Sequence, residues 1–104
     1  MWLLIDDMRD SMGCDAVART ANGARKLLKE CKWDGLCLDH DLGGSETGYD
    51  ILMWAIENFC VPPLVQLVTS NPVGRDRMGA ALVEAGWVKK SPINYAHKDH
   101  EWAE

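Results

Sequence analysis

The sequence lacks an excess of positive charge, a paired-cysteine motif and any long apolar run. Eleven Lys and Arg stand against sixteen Asp and Glu, a net charge of -5 over 104 residues. That balance excludes general, sequence-independent binding to duplex nucleic acid, which needs a basic surface. It leaves room for a nucleotide or an RNA end gripped by a few local Arg and Lys. The four cysteines, Cys14, Cys31, Cys37 and Cys60, are scattered with no C-x-x-C. They form neither a zinc pattern nor a disulfide framework, and read as reduced thiols of a cytoplasmic protein. The apolar start Met1-Trp2-Leu3-Leu4-Ile5 meets Asp6 and Asp7 after five residues. That is too short for a secretory signal or a membrane span. The five tryptophans are not interleaved with basic residues, so they read as core and interface residues rather than a base-stacking platform. No repeat, linker or low-complexity segment interrupts the chain, and its length suits one domain over residues 1–104.

What is present is a series of short apolar runs, each ending in chemistry. Trp2 to Ile5 reads as a buried strand that stops at Asp6-Asp7-Met8-Arg9-Asp10. Residues 7–14 read as a loop and Ala16 to Arg19 as a weak strand. Thr20 stands where a helix cap would, and Ala24, Leu27, Leu28 and Cys31 follow at helical spacing. The central run Leu36-Cys37-Leu38 reads as a buried strand leading into Asp39-His40-Asp41-Leu42-Gly43-Gly44. After the loop 43–48, Tyr49, Ile51, Leu52, Ala55, Ile56 and Phe59 mark a second helix, closed by Pro62-Pro63. Leu64 to Val68 is a strand ending in Thr69-Ser70-Asn71-Pro72. A third helix is predicted from Val73 or Gly74, carrying Met78, Ala81, Leu82 and Ala85, with Gly86 as its stop. Trp87-Val88 is a last short strand ending in Lys89-Lys90, and residues 93–104 read as a short helix or a tail.

Strands alternating with helical patterns predict an α/β fold with a mostly parallel sheet. Ligands in such sheets bind beyond the carboxyl ends of the strands. A parallel arrangement brings Asp6, Asp7, Asp39, His40, Asp41, Thr69, Ser70, Asn71 and the lysines to one edge. Two carboxylates about 4 Å apart at an effective dielectric near 20 repel by about 4 kcal/mol. A hard divalent cation relieves this, so Asp6, Asp7 and Asp39 are the candidate metal residues, for Mg²⁺ or another divalent cation. Thr69 or Ser70 can donate to a phosphoryl oxygen, and Asn71 to Arg75 opens a helix whose start suits phosphate. Arg75 can clamp an oxyanion with its fork. His40, between two acids, suits a general acid. Two other readings stay open for it, a metal ligand and a plain loop side chain. The same acids also serve as loop and cap residues in many proteins.

The order of strand-end residues resembles that of response-regulator receiver domains. That family has a flavodoxin-like, three-layer fold around a five-stranded parallel sheet. It has an acidic pair after the first strand, a phospho-accepting Asp after the third, Thr or Ser after the fourth and Lys after the fifth. Here those positions are Asp6 and Asp7, Asp39, Thr69 (or Ser70) and Lys90 (or Lys89). Asp39 is followed by His-Asp-Leu-Gly rather than Leu-x-x-Pro, and Pro92 falls one residue late. The first helix is reduced or absent, because residues 7–14 are too few for a helical crossover. That gap leaves one sheet face thinly covered near Trp2, Leu4 and Val17, a patch suited to a partner or a homodimer.

A closer resemblance spans nearly the whole chain. Ile5-Asp6-Asp7-x-Arg9, Leu38-Asp39-His40-Asp41-Leu42-Gly43, Thr47-Gly48-Tyr49-Asp50 and Ser70-Asn71-Pro72-Val73-Gly74-Arg75 are similar to the cyclic-phosphate processing receiver-like domains. The resemblance implies a metal-dependent, phosphoesterase-like domain acting on cyclic phosphates of RNA ends or nucleotides. It implies Asp39, His40 and Asp41 as catalytic residues, with Asp39 as metal ligand or nucleophile. It implies phosphate contacts from Arg9, Thr69, Ser70, Asn71, Arg75 and Lys90. Two alternatives need many of the same contacts: a signalling receiver phosphorylated on Asp39, and a protein that sequesters a cyclic nucleotide without cleaving it.

Overall fold

Trp2–Ile5 (β1) and Gly35–Leu38 (β3) are adjacent parallel strands inside the sheet, and both are almost wholly buried. The computed structural model describes residues 1–100. The remaining elements are Ala16–Ala18 (β2), Ala21–Glu30 (α1), Gly48–Glu57 (α2), Leu64–Leu67 (β4), Pro72–Glu84 (α3), Trp87–Lys89 (β5) and Asn94–His97 (β6). The strand order is β2-β1-β3-β4-β6-β5. The first four strands run parallel; β6 is antiparallel to both β4 and β5.

Three features correct the five-stranded, three-layer expectation. First, the stretch read as a helix or tail contains a sixth strand, so the sheet is mixed; the last part of that stretch, 101–104, lies outside the described residues. Ser91 Oγ accepts from the Ile93 and Asn94 N–H groups, which tightens the turn joining β5 to β6. Second, β6 is inserted between β4 and β5. Third, the buried residues of all three helices join one cluster with Leu3, Ile5, Leu36, Leu38, Val65 and Leu67. Those strand residues alternate and share a face, so all three helices cover the same side and the domain has two layers. The missing first helix is as predicted: residues 6–15 cross from β1 to β2 without one. On that side Leu4 is nevertheless fully buried, with the Trp2 ring over Gly35 and the Cys14 sulfur 3.9 Å from that of Cys37. The bare patch expected there is therefore partly closed by the chain itself.

The helices begin where their caps dictate. Thr20 accepts from the Gly23 N–H, and Thr47 with Asp50 makes a capping box at the start of α2. Asn71 accepts from the Gly74 N–H, and Pro72 takes the first helical position. These move the start of α3 slightly upstream of the predicted one. Phe59 does not continue α2. It lies past the helix end at φ 55 and is 96% exposed.

Candidate functional site

Backbone ladders carry two aspartates to the carboxyl edge of the sheet. The Asp6 N–H donates to the Ala18 carbonyl, and the Asp39 N–H to the Ile5 carbonyl. Both side chains are buried, Asp6 at 1% and Asp39 at 7% exposure. Each then divides its two oxygens in the same way. Asp6 Oδ1 accepts from the Met8 and Arg9 N–H groups at 2.9 and 3.0 Å, and Asp39 Oδ1 accepts from the His40 N–H at 2.8 Å. The Oδ2 atoms of both face one nitrogen, Arg9 Nη1, at 2.7 Å from Asp6 and 3.3 Å from Asp39. Burial pushes the Asp6 carboxyl up, but the Arg9 and Met8 N–H groups and the Arg9 guanidinium outweigh it and hold it below the ordinary range.

Asp7 completes the group. One carboxylate oxygen from each of Asp6, Asp7 and Asp39 can be chosen so that all three lie within 4.8 Å of one another. Oxygen-only donors on a strand end and its loop suit a hard divalent cation such as Mg²⁺, so the residues present fit one.

Three glycines, quoted in the sequence motifs but given no role there, make room for these groups. Gly43 sits at φ 73, and a Cβ on it would stand 2.7 Å from Asp7 Oδ2. A Cβ on Gly48 would overlap the Asp39 carbonyl, and the Gly48 N–H donates to the His40 carbonyl at 2.7 Å. A Cβ on Gly74 would overlap the His40 ring. The available signal is that Gly48 and Gly74 lie in the first turns of helices, where glycine is costly and needs a reason.

His40 thus rests on the first turn of α3. Its Nδ1 lies 3.2 Å from Asp41 Oδ1 and 3.5 Å from Asn71 Nδ2. The nearer acceptor assigns the proton to Nδ1 and leaves Nε2 as the free nitrogen. Asn71 is committed to capping through Oδ1, so it borders His40 as a positioning residue. Thr69 is buried and its Oγ1 accepts from the Asn71 N–H at 3.1 Å, while Ser70 is exposed beside it. Arg75 is half-buried in the first turn of α3, and its charge acts on Tyr95 of β6. Among the described residues, Arg9 is the arginine paired with the carboxylates.

Lys90 is not brought to this group. Lys89 is level with Tyr95 and, through it, Val65, and the Lys90 N–H donates to the Asn94 carbonyl. Both lysines are exposed, on and just past an edge strand two spacings from β4, roughly 10 Å away. The inserted β6 takes the place beside β4 that a receiver's lysine strand would occupy.

Among the described residues no helix is long and apolar enough to cross a membrane. No curated protein matches the chain. A family model does, over residues 1–84, a span that contains Asp6, Asp7, Asp39, His40, Asp41 and the three glycines that make room for them. The chain belongs to the family of cyclic-phosphate processing receiver domains.

Proposed function

We propose that the protein is a metal-dependent phosphoesterase that opens a cyclic phosphate on a nucleotide or an RNA end. The observation that carries this reading is the division of labour at Asp6 and Asp39. Backbone N–H groups fix one oxygen of each, and Asp6, Asp39 and Asp7 each offer an oxygen to a cluster spanning 4.8 Å. Asp6, Asp7 and Asp39 would hold Mg²⁺ or another divalent cation, which supplies Lewis-acid polarisation of a phosphoryl oxygen.

Ring opening adds one water across one P–O ester bond. The water oxygen joins phosphorus, and the departing ribose oxygen takes a proton. His40 Nε2 takes the proton that the attacking water gives up and passes it to the departing oxygen, while Asp41 holds Nδ1 and keeps the ring aimed. Arg9, Ser70 and Thr69 contact the phosphoryl oxygens, and Arg75, in the first turn of α3, adds positive charge on the side of the helix start. The signalling alternative is disfavoured, because a phospho-accepting Asp39 would lack the lysine that receivers place beside it.

The test is incubation of the purified protein with Mg²⁺ and a panel of cyclic phosphates, read by mass spectrometry. The panel holds 2′,3′-cyclic nucleotides, an RNA oligomer with a 2′,3′-cyclic end, 3′,5′-cyclic nucleotides and cyclic dinucleotides. Metal-dependent opening of one class, lost in Asp39→Asn, supports the reading. Ligands bound but recovered intact would replace it with sequestration.

A further inference from the structure

Arg9 faces one oxygen on each of two carboxylates that a cation at this site would draw on. Asp6 Oδ1 is occupied by two backbone N–H groups and Asp39 Oδ1 by one. What remains on each carboxylate is Oδ2, and both Oδ2 atoms face the same Nη1 of Arg9, at 2.7 and 3.3 Å. A Mg²⁺ ion demands oxygen ligands at about 2.0–2.1 Å in a nearly octahedral array. The guanidinium and the ion therefore draw on the same two carboxylates, and as like charges they repel at close range.

The backbone and the side chain of Arg9 differ in freedom. Arg19, which follows β2, donates from its Nη1 to the carbonyls of both Asp6 and Arg9. That clamps the loop carrying Arg9. The Arg9 side chain itself is 37% exposed, so it can rotate to solvent or to an anion without moving the loop.

We infer that Arg9 is a resident counter-cation which metal must displace, and that its release couples metal binding to capture of the substrate phosphate. The inference rests on the proposed metal site at Asp6, Asp7 and Asp39. With no metal, the guanidinium neutralises the buried acids and keeps the edge of the sheet folded. Metal expels it; a phosphodiester anion beside the site then offers it a new partner. Each ligand thus lowers the cost of binding the other, and linkage makes the effect reciprocal.

The experiment measures Mn²⁺ affinity by water-proton relaxation in wild type and Arg9→Gln, with and without dimethyl phosphate, an inert diester monoanion. In wild type the anion should tighten Mn²⁺ binding by about 5-fold or more, the lower end of usual coupling between sites. Arg9→Gln should bind Mn²⁺ more tightly than wild type in the absence of anion, and gain little when anion is added. Simple loss of a positive charge would give the first effect without abolishing the second. Equal affinities in the two proteins, or an unchanged response to anion, overturns the inference while leaving the metal site standing. Absence of Mn²⁺ binding in both proteins overturns the inference and the metal site together. A measurement on wild type alone guards against a misfolded variant: the Arg9 guanidinium ¹⁵N resonances should shift when Mg²⁺ is added, and resonances that stay fixed while Mg²⁺ binds overturn the inference.

Discussion

The imidazole of His40 lies against the backbone of Gly74, so closely that a methyl group added at residue 74 would overlap the ring. The neighbour that must yield is the His40 ring from its inner carbon outward, a side chain that can turn, whereas at Gly48 it is the carbonyl of Asp39. That contrast separates two substitutions that look alike in sequence, since each glycine lies in the first turn of a helix.

Gly74→Ala should cost the fold less than Gly48→Ala, because a side chain can turn aside and alanine is favoured over glycine in a helix by about 1 kcal/mol. His40 would turn aside, and turnover should drop by about 100-fold, the usual cost of displacing a reacting group by about 1 Å. A melting curve and a turnover assay on the same sample check this. A variant that is both stable and fully active would mean that the seat of His40 on α3 is immaterial.

Gly48→Ala should instead lose stability, by about 3 kcal/mol, since rigid backbone must shift to admit the methyl group. Denaturant unfolding measures it, and a midpoint equal to wild type would contradict the close approach of α2 to Asp39.

Asp39→Asn and His40→Ala should each abolish turnover with the fold intact. The amide that replaces the Asp39 carboxylate would keep an oxygen for the His40 N–H but give up the charge that faces Arg9. Circular dichroism paired with the mass-spectrometric assay separates loss of chemistry from loss of structure. Wild-type turnover in either variant would remove that residue from the mechanism.

Acid should weaken the fold through Asp6. Its carboxyl is held below the ordinary 3.8, so the unfolded chain takes up a proton before the folded one does. The stabilisation is complete above that ordinary value and is lost as pH falls through the lower folded one. Melting temperatures from pH 6 to pH 2 should decline more steeply for wild type than for Asp6→Asn. Parallel curves would show that Asp6 contributes no linkage.

Thiol labelling should sort the cysteines by environment. Burial, with the Cys14 sulfur close by, pushes the Cys37 thiol up to about 12, so almost none is thiolate at pH 8. Native protein treated with iodoacetamide should be alkylated at the exposed Cys31 well before Cys37. Comparable labelling of the two would mean that the face over β3 opens readily.

The acidic half of the site was legible because each apolar run stops at its carboxylates, and parallel strands carry such stops to one edge. The loss of the first helix was legible too, since residues 7–14 cannot form a helical crossover. Lys90 was misjudged because spacing along a chain carries no information on strand order. Nothing local distinguishes a fifth strand beside β4 from one held away by an intruder. Asn94-Tyr95-Ala96-His97 has little strand propensity and forms β6 only between two partners, a case of tertiary context overriding local preference. Arg9 bridging Asp6 and Asp39 depends on a loop turn that has no periodicity to read. Phe59 fitted the apolar spacing of α2, yet the helix ends at Glu57 and leaves it outside.

The family resemblance ends at residue 84, and the hairpin beyond it has a consequence for how the chain comes together. Among the described residues, strand β5 touches the sheet only through β6, which follows it in sequence. During synthesis β5 therefore leaves the ribosome with no edge to join. Residues 94–97 must arrive, pair back on β5 and dock on β4 before that side of the sheet exists. The acidic edge is under no such delay, because β1, β2, β3 and β4 are complete by Leu67. The chain can thus assemble the strands that carry its chemistry while the last border of its sheet is still being made.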